Sequence, residues 1–127
     1  MKQKTCLRLS FLLLAISVAL GAVGAHLLEK NLAPKNLATF HTGVKYLTYH
    51  SLALLIFSSS SELFSKLTWS KRLFFVGLVF FCGNCLIYAL TSVKVFALLV
   101  PIGGFAFILG WLVGFFEIKD YSPSISK

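Results

Sequence analysis

VFALLVPIGGFAFILGWLVGFF, from Val95 to Phe116, carries no charged side chain along its length. A helix rises about 1.5 Å per residue and the hydrocarbon core of a bilayer is about 30 Å thick, so a run of this length suits one crossing. Three further stretches read the same way, at about Leu7 to Ala25, Val44 to Ser60 and Leu73 to Leu90. They are apolar on nearly every face, so periodicity says little inside them. Helix is preferred over strand because each backbone N–H and C=O must find its partner within the segment where no water is at hand. The alternation of a membrane barrel is missing.

The composition points the same way. Of 127 residues, 57% are hydrophobic and 13% charged, with a mean hydropathy of +0.86, whereas a soluble domain carries about 25% charged residues. A water-soluble globule of 14.0 kDa would have to display Phe, Leu and Val over much of its surface. The predicted fold is all-α: one transmembrane domain over residues 1–127, a bundle of four membrane helices with antiparallel neighbours and short loops. In EKNLAPKN, between the first two spans, Pro34 suits a first helical position, and Leu37, Phe40, Val44 and Leu47 follow at helical spacing. SSSSELFSKLTWSKR offers Phe64, Leu67 and Trp69 to the headgroup layer, and its serine run reads as a helix end. Thr91 to Lys94 leaves room only for a tight hairpin.

Orientation follows from the basic residues. With an even number of crossings, Lys2, Lys4, Arg8, Lys66, Lys71, Arg72, Lys119 and Lys127 share one side, and Lys30, Lys35, Lys45 and Lys94 the other. The excess marks the cytoplasmic side, where both termini are expected. The net charge of +8 is then chiefly a topology signal and secondarily an attraction to anionic lipid. The basic residues form no stripe, which argues against nucleic acid as a partner. A competing reading makes the positive start, the apolar run Phe11 to Leu20 and the small residues Ala22 and Ala25 a cleavable signal peptide. The run outlasts the usual signal length, so a retained helix is expected.

Small residues let membrane helices approach closely. Ser17, Gly21 and Ala25 stand at four-residue spacing with Gly24 beside them, and Gly103, Gly110 and Gly114 punctuate the last span. Pro101 removes a backbone hydrogen bond, and a helix break near Pro101 to Gly104 is expected. Polar groups at membrane depth point to function. Thr42, Lys45, Tyr46, Tyr49 and His50 share one broad face of the second span; with His26 and Asn84 they make a candidate polar membrane face. Lys45 is placed to snorkel. His50 is placed to titrate or to bond a neighbouring helix, and Asn84 to bond across helices.

No metal or cofactor is expected. His41 and His50 fall on opposite faces of one helix, and His26 lies in another segment. Cys82-Gly83-Asn84-Cys85 reads as C-x-x-C, yet zinc would need two more ligands and a redox motif a βαβ setting and an ionisable thiol. Cys6 stands apart from both. The acids Glu29, Glu62, Glu117 and Asp120 all fall at or beyond helix ends. An exporter of the small multidrug resistance type depends on a glutamate inside its first helix, and none is present. Nor can an acid join Ser and His in a hydrolytic triad, so no enzyme is expected.

GAVGAH (Gly21 to His26), TGVKYLTYHSLA (Thr42 to Ala53) and PIGGFAFILGW (Pro101 to Trp111) come in this order, over about Leu20 to Trp111. Together they resemble the domain of unknown function 423 family, also called uncharacterised protein family 382. The resemblance implies a small four-span protein of the bacterial inner membrane, with no catalytic residues assigned. Where the family tends to read FSGSLY, this chain has FCGNCL from Phe81 to Leu86. Gly83 is kept, as packing would demand, and the cysteines occupy small or apolar family positions, which weakens the C-x-x-C reading. The leading expectation is a non-enzymatic bundle whose partners are the bilayer and either a second copy or another membrane protein. In it the polar face of span two packs on span one near Gly24 and His26. The rival is a small channel or transporter for a neutral or anionic solute, using Lys45, His50 and Asn84 around Pro101.

Overall fold

The computed structural model describes residues 1–122, and these form helices joined by short turns, with no strand among them. We number the helices α1 (Gln3–Leu28), α2 (Pro34–Ser59), α3 (Ser61–Lys66), α4 (Thr68–Thr91) and α5 (Lys94–Glu117). Local chemistry sets the boundaries. Pro34 opens α2 from an extended Ala33, and extended Ser60 ends it. The Ser60 hydroxyl then accepts from the Leu63 N–H at the start of α3. Ser92 ends α4 in the left-handed region at φ 58°, and its hydroxyl accepts from the Asn36 amide at 2.7 Å. Two segments widen into π turns, Gly24–Leu28 at the end of α1 and Leu78–Gly83 within α4.

Three helices are long and apolar enough to cross a membrane: α1, α4 and α5. The α2 helix is as long but is not among them, since its sequence is interrupted by Lys35, His41, Lys45, His50 and several hydroxyl groups. Pro101 does not interrupt α5, which is helical throughout from Lys94 to Glu117. Proline deletes one hydrogen bond while the others persist, and Gly103, two residues on, lies tight against the α4 backbone at Phe80 and Phe81.

The core is narrow and lies between α1, α2, α4 and α5. Cys6, Leu47, Leu54, Phe74, Leu78, Cys82 and Phe107 form its main cluster, and Phe40, Val44 and Ala89 a smaller one. The outward faces are apolar: Val18 is 73% exposed, Leu98 74% and Phe115 70%. In water such a surface would aggregate; against lipid tails it costs nothing to expose.

Polar ties close both ends of the bundle. At one end the Gln3 amide donates to the Ser58 carbonyl at 3.0 Å, capping α2. There too the Glu117 carboxylate accepts from the N–H groups of Trp69, at 2.8 Å, and Ser70, at 3.1 Å. An acid at the end of α5 thus caps the start of α4, satisfying orphan donors and facing the positive end of the helix dipole. At the opposite end Asn36 donates to the Ala89 carbonyl at 3.0 Å.

Candidate functional site

His50, a buried polar group, sits in a ring of aromatic side chains where α2, α4 and α5 meet. Helical spacing on α2 sets Tyr46, His50 and Phe57 along one side. They face Phe74 and Phe81 from α4, and Phe107 and Trp111 from α5. The His50 ring stacks on Phe107 with centroids 3.5 Å apart and meets Phe74 edge-on at 5.0 Å. Tyr46 lies 4.7 Å from Phe81, and Trp111 4.8 Å from Phe74.

Both imidazole nitrogens are engaged. The Trp111 indole Nε1, which can only donate, lies 3.1 Å from Nε2, and the Tyr46 carbonyl, which can only accept, lies 2.9 Å from Nδ1. These partners require Nδ1–H with Nε2 as acceptor, the neutral tautomer. With 3% of its surface exposed, His50 is fully satisfied inside the bundle. Beside it is a cavity of about 300 Å³, bordered by Tyr46, Gly104, Ile108 and Trp111.

The glycines explain how rings of this size fit. A Cβ on Gly77 of α4 would lie 2.8 Å from Phe107 Cγ, and one on Gly110 of α5 would lie 2.6 Å from the Phe74 ring. Each helix therefore offers a hollow to the other's phenyl ring. A Cβ on Gly103 would lie 2.6 Å from the Phe80 carbonyl carbon, and one on Gly114 3.0 Å from Ser70 Oγ.

On α1, Gly24 is tight against Phe40 and His41, with a Cβ 2.9 Å from the His41 ring, while Gly21 is slack at 4.0 Å from Val44. Ser17 is buried and donates to the Leu14 carbonyl. Ala25 lies exposed, outside the helix contact, and a Cβ on Gly83 would meet nothing nearer than 3.9 Å. Neither belongs to the packing row, because an all-apolar segment does not reveal its rotation. Gly43, against Cys85 Cβ at 2.9 Å, and Gly77 are contacts the sequence reading missed, since neither has a second glycine four residues away.

The polar membrane face does not gather at one place. Of its members only Tyr46 and His50 join the aromatic cluster. His26, Lys45 and Tyr49 are exposed, and Thr42 returns its hydroxyl to the Ala38 carbonyl. Asn84 is buried but bonds within its own helix, to the Phe80 carbonyl at 2.8 Å inside the π turn, and not across helices. The face of α2 towards α1 is Phe40, His41 and Val44, so the packing expected near Gly24 is made by other residues than Tyr46 and His50. Trp111, the partner of His50, was not foreseen, since a contact 61 residues away leaves no local pattern. Cys6, Cys82 and Cys85 are free and buried. Among the described residues no group of three His, Cys, Asp or Glu side chains is placed to hold a metal ion.

Comparison with known proteins agrees with these motifs. Residues 20–104 match the family described as "Protein of unknown function (DUF423)". The chain is 41% identical over 99 residues to the UPF0382 membrane protein of Staphylococcus haemolyticus, covering 77% of this chain and 81% of that protein. It is 37% identical over 101 residues to the UPF0382 membrane protein YwdK of Bacillus subtilis, covering 77% and 82%. It is 34% identical over 109 residues to the UPF0382 inner membrane protein YgdD of Escherichia coli, covering 82% and 83%. No solved structure matches the chain significantly. With a family match over most of its length and relatives of nearly its own extent, this chain belongs to the DUF423 (UPF0382) family of small bacterial membrane proteins.

Proposed function

We propose that the chain is a non-enzymatic scaffold of the inner membrane, a bundle in which α1, α2, α4 and α5 all cross with antiparallel neighbours and both termini face the cytoplasm. It would act as an accessory or self-associating subunit. The observation that carries this reading is the saturation of His50 by Trp111 and Tyr46 within stacked rings. A histidine so placed joins helices and has no nitrogen left for proton or ligand exchange. Hydrogen bonding within the helix favours a crossing by α2 despite its modest hydropathy, although its buried Ser51 and Ser58 hydroxyls have no partner among the described residues. Its Thr39, Thr42 and Thr48 hydroxyls return to the carbonyls of Lys35, Ala38 and Val44, which lowers the cost of placing them in lipid. The ties from Gln3 to Ser58 and from Trp69 to Glu117 favour the same arrangement, with the more basic end in the cytoplasm.

The rival, a channel or transporter for a neutral or anionic solute, draws on the cavity beside His50. It draws less support from Lys45, which is exposed, and from Asn84, which is bonded to its own helix. Maleimide labelling distinguishes the two. In a dry bundle Cys82 and Cys85 stay unreactive towards a water-soluble maleimide in intact membranes. Labelling of either would reveal an aqueous path and favour the transporter.

A further inference from the structure

Lys71 stands at the start of α4 with only 7% of its surface exposed. Its ammonium donates to the Phe64 carbonyl and lies 3.3 Å from the centroid of the Phe64 ring. Both contacts favour a cation, and neither neutralises it. A buried charge is tolerated when an opposite charge meets it. Glu117 is close enough for its charge to attract Lys71, but its two oxygens bond the N–H groups of Trp69 and Ser70 and none bonds the ammonium.

Lys71 also lines a cavity of about 290 Å³ beside α3 and α4, together with Met1, Phe64, Ser65, Thr68, Arg72 and Phe75. No carboxylate lines it. The Ser65 and Thr68 hydroxyls donate at 2.8 Å to the carbonyls of Glu62 and Ser65, so the side-chain donors left to meet a ligand are those of Lys71 and Arg72. The Arg72 guanidinium is steadied over the Trp69 ring, 4.8 Å from its centroid. Exposed Trp69 and the polar turn before α4 mark the depth of the bilayer surface, where lipid phosphates lie.

We propose that this cavity is a phosphate site, in which Lys71 and Arg72 bind the phosphate of an anionic phospholipid headgroup or a free phosphate ion. Phe64 and Phe75 give it apolar walls suited to the lipid. The site is independent of the scaffold reading, since it needs only that this end of α4 reach the headgroup layer.

The test uses the full chain in nonionic detergent, titrated with short-chain phosphatidylglycerol, short-chain phosphatidylcholine and inorganic phosphate, with Trp fluorescence as readout. Phosphatidylglycerol should saturate the protein while phosphatidylcholine binds at least about tenfold more weakly, its choline cation being repelled. Arg72→Gln, at an exposed position and so compatible with folding, should weaken phosphatidylglycerol by about tenfold, the scale of one charge-assisted hydrogen bond. Lys71→Met should do the same and Lys71→Arg should retain binding. Displacement of phosphatidylglycerol by millimolar phosphate identifies the free ion as a sufficient ligand; failure to displace it identifies the lipid headgroup. Equal binding of the two lipids with no binding of phosphate, or an Arg72→Gln protein that binds like wild type, would overturn the proposal.

Discussion

The α4–α5 contact is reciprocal: Phe74 fills the hollow at Gly110, Phe107 fills the hollow at Gly77, and Gly103 lets the two backbones touch. The α1–α2 contact is looser, with one tight glycine at Gly24 and one slack glycine at Gly21. Both helix pairs carry small residues at similar spacing, so spacing alone does not distinguish them. What differs is whether a bulky side chain or a backbone stands opposite. In lipid, where no hydrophobic force draws helices together, that close packing is the main source of cohesion.

Alanine substitutions should separate the two contacts. Gly103→Ala pushes a methyl group into the Phe80–Phe81 backbone, which has no rotamer to yield. A loss of about 3 kcal/mol is expected in denaturant titration of the detergent-solubilised protein. Gly110→Ala meets the buried Phe74 ring and should cost about 2 kcal/mol. Gly24→Ala meets the exposed His41 ring, which can swing away, and the buried Phe40 ring at 3.0 Å, which need give only a few tenths of an ångström; it should cost about 1 kcal/mol. Gly21→Ala should be neutral within about 0.5 kcal/mol. If Gly21→Ala proved as damaging as Gly110→Ala, the contrast between the contacts would fail.

A smaller effect tests the polar link. Trp111→Phe keeps an aromatic ring but removes the donor to His50 Nε2 together with part of the indole's volume. A loss of about 1 kcal/mol is expected, within the range for hydrogen bonds between membrane helices. A His50→Leu, Trp111→Phe double-mutant cycle should recover that coupling, and a coupling of zero would mean that stacking on Phe107 alone holds the histidine.

The segments α1, α4 and α5, long and apolar enough to cross a membrane, were legible in the sequence because few polar side chains interrupt them. The start of α2 at Pro34 was legible from proline's fixed backbone angle. Rotation about each helix axis was not, for a segment apolar all round gives no sign of which face turns inward. That is why Ala25 and Gly83 were placed in contacts they do not make, and why Gly43 and Gly77 were passed over. His50 stood out as a polar group at depth, whereas Trp111 looked like one more apolar residue until the fold brought its N–H to the imidazole. Glu117 and Lys71 read as ordinary end charges. Their roles depend on α3 and α4 folding back beside the end of α5, and no local pattern encodes that.

The central claim, that α2 crosses the bilayer as a fourth span, is tested most directly by placing single cysteines at the two ends of α2. Asn31→Cys and Ser61→Cys are made in the full chain, and the wild type with its buried native thiols serves as the blank. An impermeant maleimide should label Cys at position 31 in intact cells and Cys at position 61 only after permeabilisation. Labelling of both positions from the same side would contradict the four-span account.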